Sequence, residues 1–275
     1  MRIARSFVVC LVAVALAAGF LPVALAADAA RVAPVLDRIL AKKELVVGTA
    51  ADMPPLNMTL KDGTITGMEI DLARMLASGL EVKLTVKPIP FNGLLAALEA
   101  GQVDLVLSGM TITPARNARV GFAGPYFGSG KSVLMKRENV ASLQSTEMMN
   151  NPDVTVAVLK GSTSKLFVER FAPKAKLVLT DDYDQAVAMV LDGKVRAMVA
   201  DYPICMVSVY RYPDKGLTTL KEPLTYEPIG IALPPNDPLL LNLVQNLVTS
   251  LLNSGELSLL QKKWFEDASW VPQLR

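Results

Sequence analysis

The chain contains no histidine. It therefore lacks the side chain most often used as a general base near neutral pH and most often bound to zinc. It has two cysteines, Cys10 and Cys205, too few for a disulfide framework or a cysteine-rich metal site. Neither sign of charge dominates, with 28 Lys+Arg against 26 Asp+Glu, so there is no basic excess to attract nucleic acid or an anionic membrane. After the first 26 residues no stretch of about 18 apolar residues runs free of charges, and no later membrane span is expected. With 51% hydrophobic residues, the 275-residue chain still has enough apolar side chains to build a folded core.

The N-terminus is informative. Arg2 and Arg5 precede an apolar run from Phe7 to Leu16, and Ala24-Leu25-Ala26 has the small-x-small form of a cleavage site. This predicts a secretory signal peptide over residues 1–26, cut after Ala26 or Ala27. Its removal leaves 249 residues with equal numbers of acids and bases and Cys205 as the one thiol. The mature protein is expected outside the cytoplasm, without an intrachain disulfide.

From Leu45 onward the pattern alternates between strand and helix. Leu45–Gly48 reads as a buried strand, and Met68, Leu72, Met75, Leu76 and Leu80 fall on one helical face. Val82, Leu84 and Val86 alternate with polar residues as in a strand, Phe91 to Leu98 returns to helical spacing, and Val103–Leu107 is again a strand. The second half repeats the theme. Strands are expected at Val154–Val158, Leu177–Leu179 and Val195–Ala200, with helices after Gly161, from Tyr183, after Asp201 and after Asp237-Pro238. Such alternation predicts α/β architecture with parallel sheets under covering helices. Leu98–Leu107 also lines up with Val190–Val199, each with a Gly closing a helix before a strand. Either all such units look alike, or the chain holds two similar lobes whose strands end at Ser108-Gly109 and Ala200-Asp201. Polar Glu138–Pro152, with Asn150-Asn151-Pro152 as a turn, suits a linker or the entry to a lobe.

Ser108-Gly109-Met110-Thr111-Ile112-Thr113-Pro114-Ala115-Arg116 carries the most chemistry. A buried strand ends at Leu107, Thr113 is a good helix cap and Pro114 a good first helical residue. Arg116 then stands in the first turn beside the N–H groups of Ser108–Thr111, an arrangement suited to a carboxylate; a solvated Arg is the plain alternative. Asp201 ends a buried strand and is either a helix cap or an acid that holds an ammonium group. The turn at Ser162-Thr163 caps a helix or adds donors for the same carboxylate. Phe91 and Met53 lie near sheet edges, where they line a pocket or join the core. Gly128-Ser129-Gly130-Lys131-Ser132 resembles the end of a phosphate-binding loop, but position 125 is Pro where that motif needs Gly. Cys205, with no His to activate it, reads as a core thiol.

Leu45-Val46-Val47-Gly48-Thr49, Gly67-Met68-Glu69-Ile70-Asp71-Leu72-Ala73, the Ser108–Arg116 segment, Gly124-Pro125-Tyr126-Phe127 and Lys262-Lys263-Trp264-Phe265 together closely resemble the periplasmic amino-acid-binding proteins of ABC importers. The resemblance spans about Leu45 to Phe265. It implies a periplasmic-binding-protein-like α/β fold: two lobes, 41–133 with 231–275 and 134–230, joined by hinge strands near Ser132–Lys136 and Glu227–Ile231. It implies that Arg116 grips the ligand's α-carboxylate with help from Ser108, Met110, Thr111, Ser162 and Thr163. Asp201 takes the α-ammonium with Thr111 and the Gly109 carbonyl, and Phe91 and Met53 pack on the ligand side chain. Members that take basic side chains have Asp where this chain has Ala50 and an aromatic where it has Met53. The ligand expected here is therefore a free amino acid with an uncharged side chain, although Asp52 stands close by. The expected partner is the membrane permease of an ABC importer, served by a monomer with no cofactor or metal. The alternative on the same fold is a periplasmic dehydratase of the cyclohexadienyl/arogenate type. That chemistry needs a general acid, and no unpaired Glu or Lys is evident beside Arg116 apart from Lys160.

Overall fold

In a computed structural model, residues 32–275 are described apart from Gln144. The expected signal peptide, residues 1–26, lies outside the described residues. Among the described residues, thirteen strands run β1 Glu44–Thr49, β2 Asp52–Met53, β3 Asn57–Thr59, β4 Ile65–Thr66, β5 Lys83–Pro88, β6 Leu105–Val106, β7 Gly121–Ser129, β8 Lys131–Lys136, β9 Thr155–Leu159, β10 Lys176–Thr180, β11 Ala197–Asp201, β12 Leu217–Thr218 and β13 Glu227–Leu233. The helices are α1 Pro34–Lys42, α2 Met68–Gly79, α3 Leu94–Glu99, α4 Pro114–Asn117, α5 Val140–Leu143, α6 Thr146–Met149, α7 Thr163–Phe171, α8 Tyr183–Leu191, α9 Tyr202–Arg211, α10 Pro238–Ser254 and α11 Glu256–Phe265. Among the described residues, no helix is long and apolar enough to cross a membrane.

Two five-stranded sheets have matching layouts. The first has the order β5-β1-β6-β13-β7 and the second β10-β9-β11-β8-β12. In each, three parallel strands from βα units are followed by one strand of opposite direction, β13 in the first and β8 in the second, and then by an edge strand, β7 or β12, paired antiparallel to it. The sequence predicted the parallel part. The strand of opposite direction in each sheet, β8 or β13, is the one that enters from the other sheet without a crossover helix. Gly101 and Gly193, the aligned glycines of the internal repeat, both sit just past a helix at positive φ, +66° and +69°. The repeat is thus real at the level of topology.

The faces of the second sheet follow period-two alternation. Val133, Met135, Val156, Val158, Ala197 and Val199 point into one cluster, with Leu143, Met149, Phe167 and Val168 from α5–α7. Leu134, Ala157, Leu159, Met198 and Ala200 point the other way, into a cluster with Tyr183, Val187 and Ile204 from α8 and α9. The segment expected as a linker, Glu138–Pro152, therefore contributes core: Leu143 and Met149 are buried, a pattern too short for helical periodicity to reveal. The chain changes sheets at Gly130, between β7 and β8, and again between Thr218 and Glu227. Both points fall just before the segments expected as hinge strands, which lie inside β8 and β13. Gly130 is required at the first crossing, because a Cβ there would press on the Thr225 carbonyl and the Pro223 ring.

Candidate functional site

The loop after β6 forms as its sequence dictates. Thr113 Oγ1 accepts the Arg116 N–H at 3.2 Å, and Pro114 opens α4. Arg116 then turns back over the sheet edge. Its Nη1 donates to the Thr111 carbonyl at 2.9 Å and its Nη2 to the Gly161 carbonyl at 3.0 Å. The guanidinium carbon lies 5.6 Å from the centre of the Phe91 ring, a cation–π distance. Thr111 follows β6 of the first sheet and Gly161 follows β9 of the second, so one side chain spans the carboxyl edges of both. A cavity of about 280 Å³ lined by Phe91, Met110, Ala115, Arg116 and Gly161 opens beside it. A larger one of about 760 Å³, with Phe127, Tyr210, Tyr226 and Trp270 in its walls, is lined by none of Arg116, Asp201 or Lys131.

A carboxylate receptor built on the N–H groups of Ser108–Thr111 needs them free, and the structure corrects this for Gly109, whose N–H donates to Glu69 Oε1 at 2.7 Å. Ser108 Oγ accepts the Ala50 N–H at 2.8 Å, and the Met110 carbonyl accepts the Gly230 N–H at 3.1 Å. Gly109 has φ +60°, and a Cβ there would collide with Met53 Sδ. Met53 is consequently buried against the loop. Glu69, on the first turn of α2, also accepts from Asn57 Nδ2 at 2.6 Å and from the Tyr126 hydroxyl. Burial pushes this carboxyl above its ordinary value, while the hydrogen bonds from Tyr126, Gly109 and Asn57 work against the shift. Glu69 thus orients the loop from behind.

On the other side stands Asp201. It occupies the cap position of α9 yet makes no side-chain capping bond. Its Oδ1 instead accepts from Lys131 Nζ at 2.7 Å. Asp201 and Lys131 are direct cross-strand partners in the β11–β8 register. The Lys131 side chain is 0% exposed, and its Nζ also lies 3.7 Å from Glu227 Oε2. Glu227 Oε2 accepts from Thr163 Oγ1 at 3.1 Å, and Thr163 Oγ1 is 3.4 Å from Thr111 Oγ1. Ser162 spends its hydroxyl on the Leu159 carbonyl at 2.7 Å, closing the turn rather than capping α7. Burial pulls the Arg116 guanidinium below its ordinary value, and Asp201 and Glu227 act in the opposite direction. The predicted residues Arg116, Thr111, Thr163, Phe91 and Asp201 therefore share one electrostatic neighbourhood. Lys131 and Glu227 belong to it as well. The first was dismissed with the phosphate-loop decoy and the second went unnoticed, because only the strand register brings them there. Cys205 is buried beneath, its thiol pushed up to about 12 by burial and by Asp201, as an inert core thiol should be.

Asp52, in β2 of a small three-stranded sheet β2-β3-β4, contacts the helix α8. Its Oδ2 accepts the Tyr183 N–H at 3.1 Å, at the start of α8. Burial, with the carboxylates of Asp182 and Asp184, raises its pKa from 3.8 to about 7 against the Tyr183 hydrogen bond. A carboxyl that holds its proton more tightly in the folded state than in the unfolded one stabilises the fold fully below the unfolded value. That contribution is lost as pH rises through the folded one. Stability should therefore fall between about pH 4 and pH 7, at a rate of at most about 1.4 kcal/mol per pH unit for this group. Denaturant titrations across this range should show a shallower slope in Asp52→Asn, and an unchanged slope would remove Asp52 as the cause.

Residues 45–267 match the family model for bacterial extracellular solute-binding proteins, family 3. The L-cystine-binding protein TcyJ of Escherichia coli is 25% identical over 230 residues, covering 84% of this chain and 85% of that one. The cyclohexadienyl dehydratase of Pseudomonas aeruginosa is 27% identical over 202 residues, covering 74% and 75%. The crystal structure of the ancestral amino-acid-binding protein AncCDT-1, a precursor of cyclohexadienyl dehydratase, superposes with a TM-score of 0.77 at 38% identity, covering 84% of this chain and 99% of that one. With an α/β fold of two matching sheets and a family match over most of its length, the chain belongs to the bacterial extracellular solute-binding proteins of family 3.

Proposed function

We propose that this protein captures a free amino acid in the periplasm, between two lobes made of residues 41–133 with 231–275 and residues 134–230, and delivers it to the permease of an ABC importer. The observation that carries this reading is the convergence of Arg116 and Asp201, opposite charges borne on α4, which follows β6 of the first sheet, and on the last residue of β11 in the second. A zwitterion touching both would be held more tightly in a closed than in an open form, and only such a difference shifts the population towards closure. Phe91 lines the cavity beside Arg116, and Met53 and Leu56 are packed in the core behind it; on this reading they and Ala50 form an apolar floor, which favours an uncharged side chain. Native purification followed by mass spectrometry of the retained ligand, with calorimetry against a panel of free amino acids, tests the reading. One tight ligand with an uncharged side chain is expected. A panel with no binder would refute capture, and a best ligand of arginine or lysine would refute the side-chain assignment.

A dehydratase is the second reading, favoured by the Lys131–Glu227 contact near Arg116, an acid and a base where the sequence offered only Lys160. Both groups already share a buried ion-pair cluster with Asp201, which suits holding a charge more than giving up a proton. Formation of phenylpyruvate from prephenate, or of phenylalanine from arogenate, would reverse the order of the two readings.

A further inference from the structure

Lys131 has an unusual position for a lysine. It is fully buried, starts the strand that follows the first crossing, and reaches Asp201 across β11 and Glu227 on β13, just after the second crossing. Buried lysines survive only when paired, and this one is paired with the acid that the amino-acid reading assigns to the ligand's ammonium group. The charges that act on one another here are Arg116 and Lys131 against Asp201 and Glu227. A bound zwitterion adds one of each sign and leaves the buried cluster balanced at three against three. A ligand with a cationic side chain leaves four cations against three anions, in surroundings where an uncompensated charge is strongly disfavoured. Asp52 is the next acid: its Oδ2 accepts the Tyr183 N–H, and with Asp201 it acts on the Tyr183 hydroxyl, but burial favours its neutral form, so it is left out of the count.

We infer that Lys131 is the specificity-determining residue of this site: together with Glu227 it sets the fixed charge so that amino acids with uncharged side chains are accepted and cationic ones rejected. The inference rests on the reading of the site as an amino-acid site and names the feature that selects within that class. Selection comes from the sum of buried charges and needs no contact between Lys131 and the ligand side chain.

Charge accounting makes three separable predictions. Lys131→Gln leaves one anion in excess, so affinity for arginine or lysine relative to the best uncharged amino acid should rise by about tenfold or more, the scale on which one close buried charge acts. Glu227→Gln leaves one cation in excess and should shift preference by a similar factor towards glutamate or aspartate. Lys131→Gln combined with Glu227→Gln restores balance and should return the preference to uncharged side chains. Calorimetry of the four proteins against glutamine, glutamate, arginine, lysine and the best uncharged ligand reads all three outcomes. Thermal melts confirm that each variant is folded, and Glu227→Gln and the double variant decide the matter if Lys131→Gln does not fold. The inference is overturned if the unaltered protein prefers arginine or lysine, if neither single variant moves the ratio, or if the double variant favours cations. The last result would mean that space vacated by the lysine, not charge, governs selection. A protein that binds no amino acid at all overturns the amino-acid reading, and this inference with it.

Discussion

Asp201→Ala should lower stability by about 3–5 kcal/mol, because it leaves a fully buried lysine facing only Glu227. For a domain of this size that is a fall in Tm of roughly 10 °C. The effect belongs mostly to the charge left behind and not to the worth of the pair. Removing Lys131 and Asp201 together, as Lys131→Met with Asp201→Leu, should therefore recover much of the loss, while ligand affinity stays low because the acid is gone. Thermal or denaturant unfolding of the single and double variants measures both. A double variant no more stable than Asp201→Ala would mean that the pair stabilises by a geometry that apolar packing cannot replace.

Arg116→Ala should reduce ligand affinity by a hundredfold or more, on the order of the 2–5 kcal/mol seen when one partner of a desolvated charge pair is truncated. Arg116→Lys keeps the charge but not the planar fork that reaches the Thr111 and Gly161 carbonyls together, so it should recover only part of the binding. Arg116 is only half-buried, and its hydrogen bonds go to backbone carbonyls, so the melting temperature should change far less than for Asp201→Ala. A variant that melts early and binds normally would show that Arg116 serves as a brace between the sheets and not as a ligand group.

What could be read from the sequence was local. Thr113-Pro114 and Asp237-Pro238 announced their helices through side-chain caps, and both caps form, the second through Asp237 Oδ1 and the Leu240 N–H at 2.8 Å. The glycines of the repeat announced two similar units because positive φ is a property of the residue itself. What could not be read depends on which strands are neighbours. Lys131 and Asp201 are 70 positions apart and meet only because β8 lies antiparallel to β11 in one register. Nothing in the alternation of either strand names its partner. Glu69 was visible as a motif residue, but its role needs α2, β3, β7 and the loop after β6 to come together around it.

The two sheets also differ in how soon they can be completed. Every strand of the second comes from the unbroken stretch between Lys131 and Thr218, so its pairings can form as soon as that stretch exists. The first sheet begins earlier but has β13 seated between β6 and β7, and β13 is the last strand in the chain. On a polypeptide emerging from its N-terminus, the half that starts first must therefore finish last. In the interval β6 and β7 have no strand between them, leaving apolar edges that invite association with other chains.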